Sequence, residues 1–286
     1  MKKMKNITHS SKSMAHEDEK WNQWFGGLTD GDGCFYINKK EKNVSFELTT
    51  HMLDIRVLYI LKNKLKAGSV KLRSGSNSAR YRVKQKDAIL NIVQRLNGKL
   101  YNPVRLEQLQ QICKLYHVEW IQPSVLLNPD DSYLSGLIDS DGSIVISVNK
   151  SSSENSQISG VDGRIIRLIH AKGFSQLSLK LTSSYKSYVK MIQESYGYGS
   201  IYLEKENFKS RNPNPKYHWT IQSYEDIRRL HAYAKKNPLK SMKMHRLRLA
   251  LLYFEYKNLK YHLKPSGTLE AKIWAKFAKA WYKYSY

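Results

Sequence analysis

The chain has 286 residues, enough to bury a core in one large domain or two modest ones. Its 48 Lys and Arg against 24 Asp and Glu give a formal net charge of +24, which points to a polyanionic partner, most often nucleic acid. No apolar run reaches about 18 residues, so no transmembrane helix is expected, and the basic residues do not gather on one amphipathic segment as at a membrane surface.

Residues 1–20 are polar and lysine-rich, lack the apolar stretch of a secretory signal, and read as a flexible basic arm. Next comes Phe25-Gly26-Gly27-Leu28-Thr29-Asp30-Gly31-Asp32-Gly33, a helical segment of small residues ending in Asp-x-Asp-Gly. Cys34 to Lys40 then alternates as a strand, with Phe35 and Ile37 on one face and Tyr36, Asn38 and Lys40 on the other. A turn at Glu41-Lys42-Asn43 leads to a second strand, Val44 to Thr50. Ile55, Leu58, Leu61 and Leu65 form a helical stripe over Asp54 to Leu65. Gly68 to Arg73 and Ala79 to Lys84 read as a hairpin around Ser74-Gly75-Ser76-Asn77, followed by helices at Asp87 to Leu96 and Leu106 to His117. Val118 to Pro129, with two prolines, reads as a linker.

The order then repeats. Leu134-Ser135-Gly136-Leu137-Ile138-Asp139-Ser140-Asp141-Gly142 is a second signature, its last acid 109 residues beyond Asp32. Strands follow at Ser143 to Asn149 and Gln176 to Thr182, a helix at Tyr185 to Tyr196, strands at Gly199 to Leu203 and Tyr217 to Ile221, and helices at Tyr224 to Lys236 and Leu239 to Leu259. A last amphipathic segment, Thr268 to Tyr284, carries Ile273, Trp274, Phe277 and Trp281. The second half is longer chiefly at Lys150 to Lys172, a Ser- and Gly-containing stretch that reads as a long exposed hairpin loop. The expected organisation is an arm (1–20), a first repeat (21–117), a linker (118–129), a second repeat (130–259) and a helical extension (260–286).

The small residues Gly26, Gly27, Ser135 and Gly136 allow two helices to meet backbone to backbone, with Leu28 and Leu137 at the contact. Asp32 and Asp141 would then lie side by side at the helix C-termini, where the helix dipoles and each other's charge oppose them. Such a pair suits divalent cations, normally Mg²⁺, and phosphodiester hydrolysis. A calcium loop is excluded, because Cys34-Phe35 and Ser143-Ile144 stand where its fifth ligand and glycine belong. The two cysteines, Cys34 and Cys113, are too few for a zinc site or disulfide framework and read as buried thiols in a reducing compartment.

The paired signatures and the order of elements after each resemble the single-chain, two-motif LAGLIDADG homing endonucleases, over roughly Trp24 to Tyr256. That resemblance implies an α+β fold of two pseudo-symmetric αββαββα repeats, whose antiparallel sheets form a saddle on double-stranded DNA. It implies metal binding at Asp32 and Asp141, with Gly31 and Ser140 beside them, and two or three shared Mg²⁺ ions. It also implies cleavage across the minor groove leaving short 3′ overhangs, in a monomer that needs no protein partner. Asn237-Pro238-Leu239-Lys240-Ser241-Met242-Lys243 resembles the family's basic-residue stretch, with Lys243 in the catalytic lysine's place. The matching stretch Asn97 to Arg105 has Val104 where that lysine is usual, leaving Arg105 or Lys99. Thr50 and Ser183 stand where the family often holds a water-ordering polar residue.

By strand alternation, Tyr36, Asn38, Lys40, Lys71, Arg73, Arg80, Arg82 and Lys84 share the groove-facing side of the first sheet. Their counterparts are Ser147, Asn149, Lys180, Tyr202, His218 and Thr220, a less cationic set that implies an asymmetric target. Arg, Lys and Asn pair with base edges in the major groove. The expected function is a site-specific DNA endonuclease that promotes intron mobility, in a mitochondrion or chloroplast. The alternative is an intron maturase that binds RNA and does not cut DNA. Retention of both acids and of Lys243 favours cutting over that reading and over a DNA-binding regulator.

Overall fold

A computed structural model describes residues 2–38, 40–41, 43–149, 157–204 and 215–285, the side chains of 2–13 excepted. Helix α1 (Lys2–Asp32) opens the chain and runs straight into β1 (Gly33–Asn38). The first half continues with β2 (Asn43–His51), α2 (Ile55–Leu65), β3 (Ser69–Leu72), β4 (Ser78–Val83), α3 (Lys86–Leu96) and α4 (Pro103–Tyr116). The second half comprises α5 (Tyr133–Asp141), β5 (Ser143–Val148), α6 (Gly160–Ile169), β6 (Ser175–Ser183), α7 (Lys186–Tyr196), β7 (Ser200–Leu203), β8 (Tyr217–Ile221), α8 (Tyr224–Lys236) and α9 (Lys243–Asn258), and α10 (Leu269–Tyr282) closes the chain.

Each half folds its strands into a four-stranded antiparallel sheet, ordered β1-β2-β4-β3 and β5-β6-β8-β7. The registers are equivalent: Cys34–Glu47–Arg82–Ser69 forms one row across the first sheet, and Ser143–Lys180–Thr220–Ser200 forms its counterpart. Alternation turns Phe35, Phe46, Leu48 and Tyr81 into one core with the stripe of α2. Ile144, Leu179, Leu181 and Trp219 form a second core with α7 and α8. The two pseudo-symmetric α+β repeats expected from the sequence are present, a fold consistent with a LAGLIDADG saddle.

The halves join where α1 and α5 cross. A Cβ on Gly27 would lie 2.0 Å from the Tyr133 carbonyl oxygen, and one on Gly136 would lie 1.9 Å from the Trp24 carbonyl oxygen. Backbone therefore touches backbone, and only glycine fits at either position. Trp24 and Tyr133, equivalent in the two repeats, each reach across this contact. The Trp24 indole donates to Asp139 (2.8 Å) and the Tyr133 hydroxyl donates to Asp30 (2.5 Å), so both helices are pinned reciprocally.

Four features differ from the sequence reading. Residues 2–20, read as a flexible arm, continue α1, and Asp18 pairs with Lys64 and Arg95 while Glu19 pairs with Lys99. Within Lys150 to Lys172, read as a loop, residues 160–169 form α6; residues 150–156 lie outside the described residues. Val161, Ile165 and Leu168 give α6 an apolar stripe, which packs under α10, where the Trp274 indole donates to the Leu168 carbonyl (3.1 Å). Cys34 is half-buried, because it lies on the sheet face away from the core; Cys113 is buried as expected. Finally, α9 starts at Lys243 and not at Leu239, because Asp139 takes the backbone N–H groups of Lys240 and Ser241 and holds that stretch out of the helix.

Gly27→Ala or Gly136→Ala should each lower stability by at least about 3 kcal/mol, since the colliding atoms are backbone and cannot move aside. Gly173→Ala, whose Cβ would meet nothing nearer than 3.6 Å, should change it by less than about 0.5 kcal/mol. Denaturant unfolding of the three variants checks this.

Candidate active site and nucleic-acid interface

The crossing of α1 and α5 brings their C-terminal ends together. A Cβ on Gly31 would lie 2.1 Å from the Ser140 Oγ and 3.1 Å from the carboxyl carbon of Asp141, so the Asp141 side chain stands beside the other helix's last turn. Asp32 and Asp141 thus share one neighbourhood, at a cleft of about 550 Å³ that Asp32, Ser140 and Lys243 line. Burial pushes the Asp32 carboxyl up to about 7, the charge of Asp141 adds to that rise, and Lys243 and Arg105 oppose it. Asp141 is exposed as a residue, yet desolvation by the surrounding protein also raises its carboxyl, again against Lys243 and Arg105.

Lys243 is fixed by α5 itself. Its Nζ donates to the carbonyl oxygens of Ile138 (3.0 Å), Asp139 (2.9 Å) and Ser140 (2.6 Å), which engages all three ammonium hydrogens. A cation there serves the last carbonyls of the helix, of which that of Ile138 also accepts from the Gly142 backbone N–H (3.0 Å), and offsets the negative end of the helix dipole beside Asp141. Burial lowers the Lys243 ammonium, while Asp32 is the strongest of the acids that hold it up.

The first repeat is built differently. Asp30 accepts from the backbone N–H of Tyr101 (2.7 Å) and Asn102 (3.1 Å), as Asp139 accepts from Lys240 and Ser241. That alignment puts Val104, exposed and apolar, at the position equivalent to Lys243. Of the two basic candidates, Arg105 acts electrostatically on both acids; it donates to Gln108 (2.9 Å), and its buried Nε has no hydrogen-bond partner among the described residues. Lys99 instead pairs with Glu19 (3.3 Å), which lies about 20 Å up α1 from Asp32 at helical rise.

Sequence reasoning missed Asp54. It is buried, accepts from the Met242 backbone N–H (2.6 Å), lines the cleft and adds to the rise of Asp32. Its signal is its place, just after β2 ends and just before α2 begins. Thr50 lines the cleft, whereas Ser183 accepts from the Tyr185 backbone N–H at the start of α7 (3.1 Å).

Among the described residues, no group of three or more His, Cys, Asp and Glu could hold a metal ion. A cation between the repeats would therefore be held by the carboxylates of Asp32 and Asp141, with water or phosphate oxygens completing the shell. Mg²⁺ keeps several waters and needs only one or two carboxylates, so the donor set fits it. The Ser140 carbonyl already accepts from Lys243, so only its second lone pair is open to a metal; Gly31 lies at the equivalent place on α1.

On the first sheet, Lys71, Arg73, Arg80, Arg82 and Lys84 line one concavity of about 730 Å³. Tyr36, Asn38 and Lys40 are exposed, and Asn38 accepts from the backbone of Lys40 and Glu41, which holds the turn. The sequence reading did not include Glu47, which sits between Arg80 and Arg82 on this face. On the second sheet Ser147, Asn149 and Tyr202 are exposed and Lys180 is half-buried. His218 bonds Thr182 (2.8 Å), pairs with Glu204 (3.4 Å) and stacks on Tyr202. Thr220 shares that face by register but is only 6 % exposed, which corrects its placement as a surface contact.

The raised Asp32 carboxyl fixes the sign of a pH effect. Between the ordinary carboxylate value and about 7, the folded protein holds a proton that the unfolded chain has lost, so stability falls as pH rises through that window. In chelator, Asp32→Asn should therefore raise Tm at pH 8 and leave it nearly unchanged at pH 4. Thermal melts at the two pH values check this.

The sequence profile of the LAGLIDADG endonuclease family matches residues 25–116 and 134–250. The probable intron-encoded endonuclease aI2 of Debaryomyces hansenii is 34% identical over 267 residues, covering 93% of this chain and 38% of its own. The intron-encoded RNA maturase bI4 of Saccharomyces cerevisiae is 31% identical over 283 residues, covering 98% of this chain and 40% of its own. This chain thus spans about two fifths of those two relatives. The intron-encoded DNA endonuclease ai2b of Dictyostelium discoideum is 27% identical over 259 residues, covering 90% of this chain and 88% of its own. Among solved structures, the I-LtrWI LAGLIDADG homing endonuclease bound to target DNA superposes with a TM-score of 0.64 at 17% identity, covering 92% of this chain and 97% of its own, a likeness of fold. With both signatures inside the matched segments, the chain belongs to the LAGLIDADG endonuclease family.

Proposed function

We propose that this protein is a site-specific, Mg²⁺-dependent endonuclease that cuts both strands of a long asymmetric DNA site, leaves short 3′ overhangs and promotes intron mobility. The observation that carries this reading is the pair of raised acids, one from each repeat, at a cleft between two sheets of which the first is strongly cationic. Both acids come from one chain, so the centre is complete in a monomer. Family members bound to DNA share the fold, and relatives named as intron-encoded support an intron origin in a mitochondrion or chloroplast.

The bound cations would supply an activated water and stabilise the leaving oxygen. Asp32 and Asp141 would hold them, and Asp32, its carboxyl pushed up to about 7, would lose its proton more readily as the cations bind. Lys243, locked onto α5, keeps that helix end and Asp141 in place and adds positive charge beside both acids. Arg105 offers the first repeat's cation. The sheets bind phosphates and bases, so affinity should fall steeply with salt. A second reading, an RNA maturase without DNA cleavage, is favoured by the bI4 maturase, which matches nearly the whole chain.

With Mg²⁺ and a library of intronless-allele DNA, the wild-type protein should produce cut ends. Asp32→Asn and Asp141→Asn should each abolish double-strand cleavage while mobility-shift assays show binding largely intact. Full cleavage by either variant would reject the metal assignment, and retention of intron RNA without any cutting by the wild type would support the maturase.

A further inference from the structure

Glu47 lies on the groove face of β2, in register with Cys34 on one side and Arg82 on the other. It is only 4 % exposed, although acids are depleted from a surface meant for a polyanion and rarely buried unless paired. Both of its oxygens are taken. Oε2 forms an ion pair with Arg80 Nη1 (3.0 Å), and Oε1 accepts from Nε of Arg82 and forms an ion pair with its Nη2. The two guanidinium side chains remain 33% and 45% exposed, so they are held from beneath and open to the groove.

The arithmetic of donors matters here. Arg has five N–H donors, and Arg82 turns its Nε and Nη2 edge to Glu47, which among the described residues leaves its Nη1 end free. A guanidinium fixed at one edge loses less rotamer freedom when the other edge meets an acceptor pair. The matching target is the O6 and N7 pair of guanine, which arginine reads bidentately in the major groove. Glu47 is too covered to touch a base itself.

The second sheet inverts this arrangement. The position equivalent to Glu47 is Lys180, and those equivalent to Arg82 and Arg80 are Thr220 and His218. Thr220 is buried, and His218 is held by Thr182 and Glu204. The two halves therefore present different chemistry at corresponding places.

We infer that Glu47 is a positioning residue for sequence readout: it presets Arg80 and Arg82 to select guanine at neighbouring base pairs on the first repeat's side of the site, with no such selection on the other side. This inference rests on the proposed DNA-cutting function. Since Glu47 acts through the arginines, its loss changes which sequences are accepted, more than whether DNA is bound.

A randomised double-stranded DNA library, cut by the wild-type protein with Mg²⁺, gives the reference profile. Glu47→Gln should reduce guanine preference at one or two adjacent positions in one half of the site by roughly tenfold, with the other positions unchanged. Arg82→Lys, which keeps the charge near Glu47 but lacks the fork, should relax the same positions. Lys180→Gln should leave them untouched. Melting curves confirm that each variant is folded, and Arg82→Lys alone decides the outcome if Glu47→Gln is not. An unchanged profile, or an equal loss at every position, overturns the role of Glu47 while leaving the endonuclease reading in place. No sequence selected by the wild type would overturn both.

Discussion

The contact between the backbones of α1 and α5 is the constraint on which the rest of this structure depends. Gly27 against Tyr133 and Gly136 against Trp24 leave no room for a Cβ, so the helices meet closer than side chains permit. Two consequences follow directly. The helix ends converge, which brings Asp141 beside Asp32 and the cleft that Asp32 lines, and β1 and β5 leave from those ends. The reciprocal bonds from Trp24 to Asp139 and from Tyr133 to Asp30 fix the crossing. Asp30 and Asp139 also hold the chain before α4 and α9, so the crossing sets where Arg105 and Lys243 begin.

The same geometry is electrostatically costly. Two carboxylates lie at the negative ends of two helices, in surroundings dense enough to desolvate them. Lys243 relieves part of this on one side, by capping three carbonyls of α5. The first repeat has Val104 at that position and relies on Arg105 from the next residue. Together with Gly31 opposite Ser140 and Glu47 opposite Lys180, these differences show two halves that keep a common frame while diverging at the groove.

Much of that frame is legible in sequence, for a local reason. Small residues before Asp-x-Asp-Gly, period-two strands and the stripe of α2 are each set within a dozen residues or so. What stays hidden depends on distant partners. The stripe Val161, Ile165 and Leu168 sits behind a Ser-rich run, and the Trp274 that covers it is 106 residues away from Leu168. Residues 14–20 look like a free arm until Asp18 and Glu19 meet Lys64, Arg95 and Lys99. That last pairing also separates Lys99 from the acids, a distinction that composition and motif spacing do not carry. Glu47 becomes visible only once β2 and β4 are in register, and Asp54 only once it meets Met242 from the other repeat.

The central claim is that the helix crossing makes Asp32 and Asp141 one electrostatic unit. NMR titration of the Asp32 carboxyl in the metal-free protein, with and without Asp141→Asn, tests it most directly. Asp32 should titrate near about 7 in the native protein and move down when Asp141 loses its charge, while staying above the ordinary carboxylate value because burial remains. A titration unchanged by Asp141→Asn would contradict the account.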